Sequence, residues 1–595
     1  MSSELKRTFL AGALIAGLLL VAQMFGVFGV PEDVPVVGDS SETIVNNSNP
    51  DIDVSNISDI EIDNPDNINV DSSSSSDSVP NVDLYSVNID NIKITNGWVD
   101  LSLSSFAGGS IIDYKLTKKD SEGALSYRGV WKDSLFYDHD AAVDLILNKE
   151  DFGCAPCVVV YENNKKEILN VPFNAVDLSF DDVTINKKSS FNFEFKNELF
   201  IVTKTVSIEP NSFITTHSVN IDNTDGVVRS VGLLWDKGIR NTETDVSDDI
   251  AQYVGSYAGI DNTYETFEYD IDKDEDSASF SGPVDWVSMR NKYFTLAFVG
   301  SDGYVFDGAV LSSSPYNSMF NGVQVPIFKA EVSKKANKIE ASLYLGPLDK
   351  EQLAPLSYLT KTMNFGYWII SPFSQGILWG LKSLGPSGLG LHYGLVLILF
   401  AFIVRLVTGP LTKRSHKSTQ AMQTIQPDMK KLQEKYKKEP QKLNQEMVKL
   451  YKEKGVNPLG GCLPMLIQMP LLFGLFIVFR STIELRGVSF LWISDLANPD
   501  VITPAVINNF LYEIPGISFF YGHGIAFLPL VVGTTMILSQ RLNAATMDKK
   551  QKPMMLIMSI FFFLLFNKFS AGLNLYYAVY NILNYIQQRS IKKQA

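Results

Sequence analysis

The chain has 595 residues, of which 45% are hydrophobic and 19% are charged, and its formal net charge is -14. This length allows two or three domains, and the composition favours a membrane protein with a soluble part. Three cysteines exclude a disulfide framework, and five scattered histidines form no cluster with metal-ligand spacing.

The N-terminal segment contains an uncharged run of 23 residues, 8–30, directly after Lys6 and Arg7. This length is sufficient to cross a hydrocarbon core about 30 Å thick. A cleaved signal peptide is the alternative, but it usually has a shorter apolar region and an A-x-A-like site, which this run lacks. The pattern predicts a transmembrane anchor over residues 1–30, with its N-terminus in the cytoplasm.

An acidic segment follows over residues 31–80, with twelve Asp or Glu and no Lys or Arg. Its low hydrophobicity cannot offset the entropy lost on ordering, so the segment is predicted to be a disordered linker. The absence of positive charge suits the translocated side of a membrane.

Residues 81–352 change to alternating hydrophobicity, as in ELFIVTKTVSIEP, YFTLAFVG and KIEASLYLG, with Gly, Asn, Asp and Pro between the segments. Period-two alternation in many short segments predicts a large β-sandwich. Within it, Cys154 and Cys157 are compatible with a redox pair, a loop disulfide or two free thiols. The redox pair is disfavoured because a helix N-terminus within a βαβ unit is missing.

After residue 352 the pattern becomes typical of a membrane protein again. The aromatic-rich stretch 365–385 holds Lys382 and is interrupted by Pro372, which predicts an interfacial amphipathic helix within 353–390. Further transmembrane helices are predicted at 391–411, 458–483, 517–541, 553–567 and 570–588, with connections at 412–457, 484–516 and 542–552 and a tail at 589–595. The Lys and Arg clusters place both termini in the cytoplasm and the β domain outside.

The predicted cytoplasmic connection is strongly basic, since residues 412–454 hold twelve Lys or Arg against five acidic residues. Apolar residues at helical spacing predict two amphipathic helices in an antiparallel hairpin over 412–457. Their positive faces are suited to anionic lipid, ribosomal RNA or partner proteins. A solvated surface that only obeys the topology rule is the alternative.

Arg405 lies inside the second predicted transmembrane helix. An arginine at such depth costs roughly 2.5 to 3.5 kcal/mol on insertion scales, so it normally faces a protein interior or a water-filled cavity. Lys413 lies only about 12 Å further along the helix. Snorkelling of the Arg405 side chain to the cytoplasmic headgroups is therefore the alternative.

The last predicted span carries polar residues at steps of three and four, namely Asn574, Tyr577, Asn581, Asn584 and Gln588. Lipid disfavours such a stripe, so it must meet other helices or water. Gln468 in the third span and Ser539 and Gln540 in the fourth are compatible with the same interior. Together with Arg405 these residues predict a hydrophilic groove open to the cytoplasm, and interhelical hydrogen bonding by the amides is the alternative.

The fifth predicted span is short, because only fifteen residues separate Lys552 from Lys568. They provide roughly 22 Å of helix for a hydrocarbon core of about 30 Å. Local thinning of the bilayer relieves such a mismatch and lowers the barrier to moving a polar segment across. An ordinary short helix in a larger bundle is the alternative.

The sequence contains no Walker-type loop, dinucleotide fingerprint, G-x-S-x-G or His-Glu zinc motif. We therefore predict that the chain is not an enzyme and has no cofactor and no small-molecule substrate. A solute transporter is a competing class, but transporters usually show internal repeats with broken helices. A scaffold that recruits partners through the β domain is another.

Five motifs in order resemble the YidC/Oxa/Alb family of membrane protein insertases, in its Gram-negative form with a large periplasmic domain. They are FIVRLVTGPLTK (402–413), IQPDMKKLQEKY (425–436), VNPLGGCLPMLIQMPLLFGLF (456–476), ELRGVSFLWISDL (484–496) and SAGLNLYYAVYNILNYIQQ (570–588). The resemblance implies a polytopic α-helical membrane protein of the inner membrane, with six transmembrane helices, a five-helix insertase core and a periplasmic β-supersandwich domain.

The resemblance also implies a function in inserting, folding and assembling nascent membrane proteins, alone or with the Sec translocon and its accessory subunits, and with ribosomes recruited to the cytoplasmic hairpin. Arg405 matches the groove arginine of the family, which attracts the acidic or polar tail of a substrate. Ala401 stands where some relatives carry a hydroxyl, so groove polarity on this helix depends on Arg405 and Thr408. Tyr576 and Tyr577 match the tyrosine pair that contacts substrates.

Overall fold

The computed structural model describes residues 91–594 except 133–134, 148–152, 163–164, 177–181, 224–227, 260–262, 269–272, 274, 301–304, 321, 457–462, 503–523 and 545–551. The predicted anchor at 1–30 and the predicted linker at 31–80 lie outside the described residues. A β domain comes first in this range, and a helical part follows it.

The strands of the β domain are β1 (Asn91–Thr95), β2 (Val99–Ser104), β3 (Ser110–Leu116), β4 (Arg128–Trp131), β5 (Tyr137–Ala142), β6 (Cys157–Glu162), β7 (Lys165–Ile168), β8 (Asn174–Val176), β9 (Val183–Thr184), β10 (Ser189–Lys196), β11 (Phe200–Ile208), β12 (Ile214–Asn223), β13 (Val228–Trp235), β14 (Val254–Gly259), β15 (Tyr264–Glu268), β16 (Asp276–Arg290), β17 (Phe294–Val299), β18 (Phe306–Phe320), β19 (Val323–Lys334) and β20 (Lys338–Pro347). One sheet has the order β3-β2-β1-β9, and a large sheet runs β7-β6-β13-β19-β18-β16-β17-β20-β12-β11-β10-β8. Strand β14 pairs with β15 and β16, and β4 and β5 form a separate hairpin. The predicted β-rich architecture is therefore present.

Strand β11 shows why the alternating segments form this domain. Phe200, Val202, Lys204, Val206 and Ile208 are buried, while the residues that alternate with them are only partly covered. Strand β17 differs, because all six of its residues are buried. It lies between β16 and β20, where both faces of the sheet are covered, so its sequence does not alternate in exposure.

Cys154 and Cys157 are joined by a disulfide, and their Cα atoms are 4.6 Å apart. Both side chains are buried and pack with Phe106 and Leu234. Cys157 opens strand β6 rather than a helix. Of the three alternatives for this pair, the structure contains the loop disulfide.

Lys204 is fully buried beneath this loop. Its Nζ donates hydrogen bonds to the carbonyl oxygens of Pro156 at 2.5 Å and Ala107 at 3.5 Å. Within the described residues no carboxylate forms an ion pair with it. Burial lowers the pKa of Lys204 to about 7, because desolvation disfavours the charged ammonium.

We expect the unfolding free energy of the β domain to rise by about 2 kcal/mol between pH 7 and pH 9. Above its folded pKa of about 7, Lys204 is neutral in the native state, whereas the unfolded chain holds the proton up to the ordinary value of 10.5. The unfolded state thus binds more protons in this window, so stability increases with pH. Urea unfolding of the full chain in detergent measures the slope, and Lys204→Met should remove it; an unchanged slope in that variant contradicts the assignment.

The helices are α1 (Val246–Ile250), which lies within the β domain, followed by α2 (Lys350–Leu353), α3 (Ser371–Leu384), α4 (Tyr393–Thr424), α5 (Gln426–Lys435), α6 (Pro440–Glu453), α7 (Leu463–Ser481), α8 (Phe527–Ala544), α9 (Lys552–Phe566) and α10 (Ala571–Gln594). Helix α3 buries Ile377, Leu378 and Leu381 and leaves Trp379 72% exposed. This is the amphipathic character predicted for an interfacial helix.

Helix α4 continues through Pro410 to Thr424, beyond the predicted end of the span at residue 411. The hydroxyl of Thr408 donates to the carbonyl of Val404 at 2.8 Å, and that of Thr412 donates to the carbonyl of Thr408 at 2.9 Å. Both hydroxyls are thus satisfied within α4, on either side of Pro410, which itself lacks a backbone N–H. In the part of the chain that the structure describes, α4 is the one helix long and apolar enough to cross a membrane. The count of six spans stays a prediction.

Cationic side chains join the β domain to the helical part at the C-terminal end of α7. Arg486 Nε lies 2.6 Å from Glu243, and Arg480 lies 2.6 Å from Asp248 of α1. Burial raises the pKa of Asp248, but the charges of Lys292 and Arg480 outweigh this and hold that pKa well below its usual range. The buried pair of Arg486 and the partly exposed pair of Arg480 together fix the end of α7 against the β domain.

Candidate functional site

Arg405 of α4 is buried, with only 8% of its surface exposed. Its guanidinium carbon lies 5.5 Å from the centre of the Tyr580 ring on α10, in a cation–π arrangement. Nε and Nη2 have no hydrogen-bond partner, and no ion pair forms, among the residues that the structure describes. Since a guanidinium carries five N–H donors, Arg405 retains donors for an anionic or polar partner.

Helix α10 packs against α4 and α8. At its N-terminal end Asn574 is fully buried and donates to the carbonyl oxygens of Phe566 and Phe569, each at 3.0 Å. At this end of the stripe the amide therefore forms hydrogen bonds within the protein, which is the alternative to a hydrophilic groove. Further along, Asn581, Asn584 and Gln588 are half-buried.

Tyr576 and Tyr577 are buried, and neither hydroxyl has a hydrogen-bond partner in the described residues. The Tyr576 ring lies 6.0 Å from Phe400 of α4 and stacks on Tyr580 with centres 6.0 Å apart. Tyr580 in turn contacts Arg405, so the side chains form one continuous group between α4 and α10. Unpartnered buried hydroxyls are costly.

The remaining predicted groove residues are not all brought to this group. Thr408 lies within one turn of Arg405, but its hydroxyl is used inside α4. Gln540 donates to Ser559 of α9, and Ser539 and Asn581 are half-buried. Gln468 belongs to α7, and its side chain lies outside the described part of the structure.

Two residues of this group were missed in the sequence. Tyr580 contacts Arg405, and Gln587 donates from Nε2 to the carbonyl of Gly409 at 3.3 Å. Tyr580 follows Tyr576 by four residues, so helical spacing applied to the aromatic residues would have found it. Gln587 carries no such signal, because it adjoins Gln588 and lies on a different line along the helix.

Two family models match the two parts of the chain. Residues 155–379 match the model described as the YidC periplasmic domain, and residues 386–595 match the model described as 60Kd inner membrane protein. The first match covers most of the β domain with α2 and part of α3. The second begins just before α4 and includes Arg405 and the whole of α10.

Individual proteins match over longer stretches. The membrane protein insertase YidC of Prosthecochloris aestuarii is 32% identical over 518 residues, which cover 83% of this chain and 85% of that protein. The YidC of Pelodictyon phaeoclathratiforme is 39% identical over 367 residues, 60% of each chain. A crystal structure of an active YidC insertase with its first transmembrane domain resolved covers 84% of this chain and 95% of its own, at 19% identity and a TM-score of 0.30. The chain therefore belongs to the YidC family of membrane protein insertases.

Proposed function

We propose that this chain inserts nascent membrane proteins into the inner membrane through a hydrophilic groove centred on Arg405, without covalent chemistry. The observation that carries this proposal is the buried guanidinium with two nitrogens that lack partners among the described residues. A charge in such a position attracts an opposite charge more strongly than it would in water. It would draw in the acidic or polar tail of a substrate that must cross to the periplasm.

The tyrosines next to Arg405 serve as the contact for the substrate span. Tyr576 and Tyr577 combine apolar rings with hydroxyl groups that lack partners in the described structure. They suit a segment whose side chains are apolar and whose backbone still needs hydrogen bonds. The substrate span then leaves the groove along α7 and α9 into lipid.

Six transmembrane helices with both termini in the cytoplasm fit this mechanism. In this topology the anchor predicted from the sequence at 1–30 is the first, α4 is the second, and α7, α8, α9 and α10 are the others, with the groove open to the cytoplasm. The basic clusters support this orientation. Helix α9, Lys552–Phe566, has only 15 residues, so it supports local thinning of the bilayer and a shorter crossing.

The helices α5 and α6 are proposed to recruit ribosomes and the Sec translocon from the cytoplasm. They contact each other, as a hairpin requires. Lys431, Lys442 and Lys449 have highly exposed side chains, of 79%, 64% and 64%, and each pairs with an acidic residue three positions before it, so the excess positive charge comes from the other lysines of the hairpin. Exposed cationic faces favour ribosomal RNA and anionic lipid headgroups.

Site-specific crosslinking tests the groove. Photoreactive residues at positions 405, 468 and 577 should crosslink to the transmembrane span of a ribosome-stalled nascent chain. Position 406 on the same helix provides a matched control, because Leu406 is 79% exposed and points away from the buried group. Crosslinks from 406 that equal or exceed those from 405 and 577 would contradict a groove on this side of α4.

A further inference from the structure

A second cavity lies where the β domain meets α3 and α7, and it shares no lining residue with α4 or α10. The enclosed space is small, about 20 Å³, and it opens to the solvent at its mouth. Arg290 at the end of β16 lines it together with Asn364, Leu378, Val478, Ser481 and Thr482. The cavity is thus mostly apolar and carries one cation.

Arg290 is buried, with 8% of its surface exposed. Its described hydrogen bond is a long one, from Nη1 to the carbonyl of Asn291 at 3.4 Å. Val254 of β14 lies between Glu268 of β15 and Arg290 of β16 in the sheet, so the Glu268 and Arg290 side chains are separated by one strand. Among the described residues, no carboxylate forms an ion pair with Arg290. A buried cation without a counterion is unfavourable, so the site favours an anion.

Three other polar side chains line the cavity, and they differ in whether they can donate a hydrogen bond to an anion. The hydroxyls of Ser481 and Thr482 donate to Ile477 and Glu484, so they are not free as donors. Asn364 is exposed, and its Oδ1 accepts from the backbone N–H of Gly366 at 2.9 Å. Its amide nitrogen has no acceptor among the described residues, which makes it a second donor beside Arg290.

The position of the cavity identifies the source of the anion. Ser481 is the last residue of α7, and the neighbouring surface exposes Trp368 and Trp379, of which 83% and 72% are accessible. Tryptophan is typical of the headgroup level of a membrane. In the topology proposed above, on which this step depends, the cavity faces the outer leaflet at that level.

We propose that the cavity binds the phosphate group of an outer-leaflet phospholipid, with the Arg290 guanidinium as its main donor. The planar guanidinium forms two parallel hydrogen bonds to phosphate oxygens. Leu378 and Val478 line the cavity beside the phosphate, and the glycerol and acyl chains stay outside it, against the neighbouring surface. The lipid would then form part of the junction between the β domain and the helical part.

Native mass spectrometry of the delipidated full chain tests the site. With dioleoyl phosphatidylglycerol as the probe, the wild type should bind one lipid at least about tenfold more tightly than Arg290→Gln. Arg229→Gln changes an exposed arginine of β13 in the same way and should bind as the wild type does. Asn364→Asp keeps the acceptor for Gly366, adds a negative charge at an exposed position, and should also weaken binding.

Two further probes separate the sources of the anion. Dioleoylglycerol has the same acyl chains without phosphate and should not occupy the site; equal occupancy by it would overturn the proposal. Competition by millimolar inorganic phosphate as effective as the lipid itself would overturn the lipid source. Insertion assays on the same variants distinguish this site from the groove. A variant that loses the lipid but still crosslinks normally from position 577 has a defect in the cavity and an intact groove.

Discussion

Arg405→Glu is expected to reduce the insertion of substrates with acidic external tails by about tenfold or more, which corresponds to at least about 1.4 kcal/mol. The buried guanidinium has two nitrogens without partners in the described residues, so it is placed to attract a carboxylate. A glutamate at the same position would repel that carboxylate in surroundings that screen charge poorly. Protease protection of the translocated tail in proteoliposomes measures the effect.

Two comparisons make this result specific to the groove. Arg405→Lys keeps the positive charge and should retain much of the activity. Arg414→Glu introduces the same charge change at an exposed position of the same helix and should have a small effect. Equal insertion of acidic-tailed substrates by the wild type and Arg405→Glu would exclude electrostatic attraction by Arg405.

Arg486→Ala is expected to destabilise the junction between the β domain and the helical part by about 3 to 5 kcal/mol. The Arg486 guanidinium lies 2.6 Å from Glu243, and it also donates to the carbonyls of Arg128 and Thr242, each at 2.7 Å. The Arg486 and Glu243 side chains are 4% and 3% exposed. Removing the arginine leaves a buried carboxylate without its cation, which costs more than the lost contact.

Thermal unfolding of the full chain in detergent detects this loss. Lys115→Ala provides the control, because Lys115 pairs with Asp113 at 3.1 Å with 46% of its side chain exposed. Exposed pairs contribute at most about 1 kcal/mol. If Arg486→Ala shifts the unfolding midpoint no further than Lys115→Ala does, the buried pair does not hold the junction.

Local hydrophobic patterns predicted those strands of the β domain that bury one face and leave the other partly exposed. Strand β11 follows the alternation residue by residue. Strand β17 is buried throughout, and its position in the centre of the sheet depends on pairing with β16 and β20, which no local pattern encodes. The Cys154–Cys157 pairing stayed open for a similar reason, because a three-residue separation permits a disulfide without requiring it.

The candidate site was only partly predictable. Arg405 and the polar stripe were found because charged and amide side chains in an apolar helix are costly and therefore informative. The same argument could not separate Asn574, which bonds two carbonyl oxygens, from Asn581 on the same face. Hydrogen-bond partners depend on which neighbouring helix end comes close, and here that is the end of α9.

The sequence by itself determined the membrane character of the C-terminal part, the β-rich domain, the place of Arg405 within an apolar helix and the family motifs, since each depends on composition, periodicity or short-range order. Only the tertiary structure decided that Tyr580 faces Arg405 and that Arg486 pairs with Glu243, 243 positions away. Helical periodicity tells which residues share a face, but the rotation of that helix against its neighbours follows from the packing of the whole chain.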